Sequence, residues 1–346
     1  MKKAVFAALA AVGMSALGLA PNAAHSQEVT LRLHTFMPPV ANPMKHFLKP
    51  WADKIAKDSK GRIKVQIYPA MQLGGKAPQL LQQVRDGVVD IVWTLPGFTP
   101  GVMVESEVFE LPFIHRDTRS SVLALQDFAQ MHLKDELAPY HPLILHVHAG
   151  SLFMTKGGIH KVEDFRGMKL RSPSRAGAWI IEALGATGVH LPLPELVPMM
   201  NKGTVNGAIL TYEIAPAVKM QELANYFTTL SGEQPRMSTT VFAFLMNKKR
   251  YESLPPDLKK VIDDNSGRNI AEQIAKIWDM IDQDGLKVVK SVKKNRLVTL
   301  DPTETEKFRK AVEPVNARFI EEVNKRGNDG AKVIADAKAL VAKYAK

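Results

Sequence analysis

Residues 29–67 constrain the fold more tightly than any other part of the chain. Val29, Leu31 and Leu33 alternate with polar neighbours, so they share one face of an extended strand. Asn42-Pro43 then opens a helix in which Met44, Phe47, Trp51 and Ile55 fall on one side, and Gly61 closes it. Ile63, Val65 and Ile67 alternate again. A strand, a covering helix and a second strand in close succession make a βαβ unit, which commits the chain to an α/β sheet.

The same logic recurs downstream. A helix is expected over 78–87, with Leu80, Leu81 and Val84 inward, followed by a buried strand over 88–93. That strand runs into a turn-rich loop, 94–101, carrying Leu95 and Phe98. Ligands of open α/β sheets bind at the carboxyl ends of strands, so this loop is a candidate pocket wall, although a plain connecting loop reads equally well. A helix over 117–137 and a strand over 143–149 follow. In the second half, strands are expected at 168–171, 189–193, 205–210, 239–245 and 297–300. Ser253-Leu254-Pro255-Pro256 opens a helix, and a long helix begins at Asn269 with Ile270, Ile274, Ile277 and Ile281 as its buried stripe. Pro302 starts the C-terminal helices. No repeat of solenoid type is visible.

The first residues carry a different signal. Met1-Lys2-Lys3, an apolar run over 4–20 and a small-x-small site before Gln27 read as a secretory signal peptide over 1–26. An exported, soluble protein is expected. The sequence contains no cysteine, which excludes disulfides, thiol chemistry and a lipid anchor on cysteine. Stability then has to come from packing, which 346 residues allow. The formal charge of +11 becomes 11 − 2 = +9 once Lys2 and Lys3 are removed. Lysine and arginine are interspersed with acids rather than clustered, so the charge favours anionic small molecules, with no nucleic-acid partner expected.

Arg171 is where the chemistry concentrates. It ends a short strand and is followed by Ser172-Pro173-Ser174. Proline fixes its own φ, and Ser174 is suited to cap a helix reaching Gly185. A guanidinium at a strand end, facing free N–H groups of a helix start, suits a carboxylate. An ordinary surface arginine is the competing reading. Arg175, in the first helical turn, is a weaker candidate for the same anion.

No H-E-x-x-H, Walker, G-x-G-x-x-G or G-x-S-x-G motif occurs. His146 and His148 lack a third metal ligand, so neither a metal nor a cofactor is expected. Asp86 and Asp90 read as solvated charges, and Met199-Met200 as core. No paired base and nucleophile is visible, and the chain is not expected to be an enzyme.

Several segments together resemble the periplasmic solute-binding proteins of tripartite ATP-independent (TRAP) transporters. They are Leu73-Gly74-Gly75, the helix–Gly–x–x–Asp–strand run from Leu80 through Asp90, Glu110-Leu111-Pro112-Phe113, the stretch from Val162 to Arg171, and Pro194 through Gly207. The resemblance spans the mature chain. It implies a two-domain α/β periplasmic binding protein fold, with the ligand cleft between the domains and a long connecting helix. The expected division is 27–148 plus 238–280 for the first domain and 149–237 plus 281–346 for the second. It further implies that Arg171 pairs with the carboxylate of an organic acid, which is delivered to integral-membrane subunits using an ion gradient, usually sodium. A monomer is expected.

The residues expected at the ligand are Arg171, Phe36, Trp93, Leu95, Phe98, Ser151, Phe153, Ser174, Leu210, Tyr212 and Glu213. Glu213 would orient Arg171, accept a ligand hydroxyl or merely cap a helix. Members of sialic-acid type carry a second arginine where Ser151 falls and an acid where Leu95 falls. One fixed cation among rings suits an aromatic or weakly hydroxylated monocarboxylate. The rivals are a receptor for an ATP-driven importer and a secreted α/β hydrolase or isomerase.

Overall fold

The computed structural model describes residues 29–345, so the expected signal peptide over 1–26 lies outside the described residues. Strands β1 (Val29–Thr35), β2 (Ile63–Tyr68), β3 (Ile91–Thr94) and β4 (Tyr140–Val147) come first. Then follow β5 (Leu152–Thr155), β6 (Lys169–Ser172), β7 (Thr187–His190), β8 (Gly207–Leu210) and β9 (Tyr226–Thr229). β10 (Val241–Asn247) and β11 (Arg296–Thr299) close the series. Among the described residues they form two sheets, ordered β2-β1-β3-β10-β4 and β11-β9-β5-β8-β6-β7.

The opening unit forms as its periodicity dictates. β1 pairs in parallel with both β2 and β3, and Leu31 and Leu33 are fully buried beneath Phe47, Trp51 and Ile55 of the intervening helical segment. β10 enters antiparallel between β3 and β4 and buries all seven of its residues, as a strand covered on both faces should.

Several strands differ from expectation: β4 starts at Tyr140 rather than 143, β10 starts at Val241 rather than 239, and β5 and β9 are additional; two further shifts have a local cause. β3 begins at Ile91, not at 88, and Val88 is 54% exposed. Gly87 leaves the helix in a left-handed turn at φ +74°. The Asp90 carboxylate then accepts the Arg32 N–H at 2.7 Å and lies beside the Arg32 and Arg250 guanidiniums, so it is tied down rather than solvated. β7 lies at Thr187–His190 rather than 189–193, because Pro192 has no N–H to give the ladder and leads into the helix Leu193–Asn201.

The helix Arg268–Ser291 has 24 residues and is about 36 Å long. It starts beside β4, packs along Thr118–His132, and ends where Asn295 reaches the Gln221 carbonyl of the second sheet's layer. Its buried stripe is Ile270, Ile274, Trp278 and Ile281, with Trp278 taking the place expected for Ile277. Gly285 allows the crossing. A Cβ there would lie 1.9 Å from the Tyr212 carbonyl oxygen, so a side chain would push the helix off the second half of the chain.

The chain therefore passes between the sheets at 148–151, at 230–240 and along this helix, and the first two passages are joined by Ser151 N–H to Ser238 O at 2.7 Å. The two-domain division of residues stays a proposal. The last helix, Gly330–Tyr344, lies against Thr118–His132 on the side of the first sheet. No helix among the described residues is long and apolar enough to cross a membrane.

Candidate functional site

The carboxyl ends of β1, β3, β4, β6 and β8 meet between the two sheets and line a partly open cavity of about 40 Å³. From the first sheet's side come Phe36, Leu95, Phe98, His148 and Phe242. From the other come Ser151, Arg171, Leu193, Leu210 and Glu213. The loops touch directly, since a Cβ at Gly97 would lie 2.7 Å from the Ser174 Cβ.

Arg171 holds its place through the local structure expected from the sequence. β6 lies between β7 and β8, and Ser174 caps the helix Arg175–Ala183 by accepting the Gly177 N–H. The Arg171 side chain is 2% exposed. Its Nε donates to the Leu191 carbonyl at 2.8 Å, which fixes the plane of the guanidinium. Among the described residues no acid pairs with it, and burial alone holds its pKa down at about 9. It is still a cation at neutral pH.

Rings form the opposite wall. Phe36 packs edge-on to Phe98 at 4.9 Å, and Trp93 stacks on Phe242 at 4.7 Å. Trp93 itself is a layer behind, stacked on Phe36 at 5.9 Å, with its Nε1–H donated to His146 Nε2 at 2.9 Å. His148 lines the cavity, and its Nδ1 accepts from the Gly150 N–H and meets the Thr239 hydroxyl at 3.0 Å. Burial pushes its pKa well below the ordinary range, so the ring is neutral and its proton sits on Nε2.

Seven expected residues line the cavity: Phe36, Leu95, Phe98, Ser151, Arg171, Leu210 and Glu213. Four do not. Trp93 backs the ring wall, and Phe153 packs on Phe165 and Phe308 at 4.7 and 6.0 Å. Ser174 is spent on its helix cap, and Tyr212 lies under the Arg236 guanidinium at 4.7 Å. Arg175 is engaged by Glu107 at 2.6 Å and Glu322 at 2.8 Å. Glu213 does not orient Arg171. Its carbonyl accepts from Asn42, and burial together with nearby Asp282 raises its carboxyl pKa to about 8. Sequence reasoning missed Met37, Leu193, Thr211, Ile214, Thr240 and Phe242 as lining residues, and weighed His148 as a metal ligand against a strand-face residue near an interdomain seam, not as part of the cavity. Among the described residues no group of three or more His, Asp or Glu side chains is placed to hold a metal.

Known proteins share this fold. The family model described as bacterial extracellular solute-binding protein, family 7, matches residues 35–322. A TRAP solute-binding protein from an unidentified marine microbe, described as specific for aromatic acid ligands, was crystallised with 3-hydroxybenzoate. It is 41% identical with a TM-score of 0.90, over 92% of this chain and 100% of that one. A TRAP solute-binding protein from Rhodoferax ferrireducens T118, in complex with copurified benzoate, is 38% identical with a TM-score of 0.89, over 91% and 98%. The transporter protein TsaT of Comamonas testosteroni, described as an outer membrane protein, is 29% identical over 264 residues, 75% of this chain and 77% of its own.

Proposed function

Because the chain belongs to family 7 of the bacterial extracellular solute-binding proteins, the receptors of TRAP transporters, we propose that its own cargo is an aromatic monocarboxylate, gripped by Arg171 between rings. The observation that carries the reading is a buried guanidinium with no paired acid among the described residues, in a cavity walled mainly by Phe36, Phe98, Phe242 and aliphatic side chains, with Ser151, Thr211, Thr240, His148 and Glu213 as its other polar lining.

A charge left alone in such a place is costly, and a carboxylate meeting the guanidinium fork removes that cost through two charged hydrogen bonds, each contributing about 1.5–3 kcal/mol. The rings add apolar burial at about 25 cal/mol per Å², where sugar acids would need polar partners for their hydroxyls. The two relatives that carry 3-hydroxybenzoate and benzoate support the same class of ligand. Arg171, Phe36, Leu95, Phe98, Ser151, Leu210 and Glu213 are the proposed contacts, joined by His148 and Phe242. Trp93, Phe153, Ser174 and Tyr212 are proposed to support them from behind.

In this reading the protein is a monomeric receptor of the periplasm that hands its ligand to the membrane subunits and performs no chemistry on it. Domain closure about the three passages between the sheets would sequester the acid. Mass spectrometry of small molecules that co-purify with the protein, followed by calorimetry with benzoate, tests the proposal. A sugar acid recovered from the protein, with no heat on adding benzoate or its hydroxylated and homologous acids, would refute it.

A further inference from the structure

We propose that the bound acid carries a ring hydroxyl and that Glu213 is the residue that reads it, an inference that rests on the aromatic-carboxylate reading above. Glu213 follows β8 and lines the same cavity as Arg171, yet its side chain makes no ion pair among the described residues. It is 4% exposed, and its Oε2 is buried with no hydrogen-bond partner. The Thr211 hydroxyl and the N–H groups of Glu213 and Ile214 approach the carboxyl group, so its acceptor capacity is partly used while Oε2 is not.

A polar atom left so is unfavourable unless something completes it. The chemistry of the missing partner is narrow. Burial and the neighbouring Asp282 push the Glu213 pKa to about 8, so the group is a neutral acid at pH 7. Asp282 is itself committed to Arg236 at 3.1 Å and to the Tyr212 N–H at 3.0 Å. A neutral carboxyl both donates and accepts, as a phenol does, and it does not repel an anionic guest as a carboxylate would. The cavity thus has a cation for the carboxylate and, separately, an amphoteric group for a hydroxyl. Benzoate, with no hydroxyl, leaves the second group unsatisfied, and a site built to hydrogen-bond a hydroxyl discriminates against the analogue without it.

The test is calorimetry at pH 7 with benzoate and with 2-, 3- and 4-hydroxybenzoate. The best hydroxylated isomer is expected to bind at least about tenfold more tightly than benzoate. Glu213→Leu should bring that ratio of dissociation constants close to one, and Glu213→Gln, which still donates and accepts, should keep most of it. Equal binding of benzoate and all three isomers by the unaltered protein overturns the inference while leaving the aromatic reading intact, and needs no variant to fold. A ratio that survives Glu213→Leu overturns it too. If none of the four acids binds, the inference falls, and the homologous acids and the co-purified ligand then decide the aromatic reading separately.

Discussion

Replacing Arg171 by methionine should make the ligand-free protein more stable and at the same time abolish ligand binding. The guanidinium is buried, bonded at Nε to the Leu191 carbonyl and, among the described residues, to no acid. Burial holds its pKa at about 9, more than three steps below an ordinary arginine, and at 1.36 kcal/mol per step the uncompensated charge costs roughly 4–5 kcal/mol. Methionine keeps an unbranched apolar stem against the same walls but gives up the hydrogen bond and leaves Leu191 O buried, which costs about 1–3 kcal/mol. The net gain is about 1–4 kcal/mol, which raises the melting temperature by several degrees, roughly 2–6 °C for a chain of this size.

Melting curves at pH 7, with and without benzoate, read both effects. A ligand at a hundred times its dissociation constant stabilises the unaltered protein by about 2.7 kcal/mol, and the variant should show no such gain. Arg171→Lys retains the charge without the planar fork, so it should lose roughly tenfold or more in affinity while gaining none of the stability. A methionine variant that melts below the unaltered protein, or one that still responds to benzoate, would refute the reasoning.

Phe153→Ala should cost about 3–5 kcal/mol in urea unfolding, since its ring packs on Phe165 and Phe308. The benzoate affinity of the folded variant should change by no more than about twofold, and a larger change would return Phe153 to the site. Glu213 contributes a pH dependence with a definite sign. Its folded pKa of about 8 lies above the unfolded value, so its contribution is complete below about pH 4 and is lost as pH rises toward 8. Glu213→Gln should therefore lose less stability between pH 5 and pH 8 than the unaltered protein, by roughly 2–4 kcal/mol, and identical losses would show that the group is ionised in the fold. Asp282→Ala strands the Arg236 guanidinium, which is largely buried, and should cost about 3–5 kcal/mol by denaturant titration. A loss under about 1 kcal/mol would place that pair with ordinary surface bridges.

Local periodicity made most elements legible. The alternation of Val29, Leu31 and Leu33, the one-sided Phe47, Trp51 and Ile55, and the cap at Ser174 each depend on near neighbours, and all reappear in the structure. The ring wall depends on something else. Phe242 reaches the cavity because β10 pairs with β4, opposing it to His146, and no single stretch of chain encodes that pairing across nearly a hundred residues. Nor does composition say which rings face a ligand. Trp93, Phe153 and Tyr212 lie at strand ends just as Phe36 and Phe98 do, yet they fill the layers behind. An aromatic side chain is equally suited to core and pocket, so only tertiary packing decides.

Arginines make the sharper contrast. Arg175, Arg236 and Arg171 all reach into the region between the sheets. Arg175 pairs with Glu107 and Glu322. Arg236 draws the three passages together, donating to the Gly150 carbonyl at 3.1 Å, pairing with Asp282 of the long helix, and stacking over Tyr212. Gly150, at φ +90° with a would-be Cβ 2.4 Å from the Arg236 Cβ, leaves room for that side chain. Both arginines therefore bring their carboxylates from the chain itself, and their charge is spent on holding the passages and the helix start in place. Arg171 has the same chemistry, deeper burial and a fixed guanidinium plane, but no anion among the described residues meets it. A buried cation so placed destabilises the protein that carries it. It is the expected design for a receptor, because the anion that relieves the cost then comes from solution, and the free energy withheld from folding is released on binding.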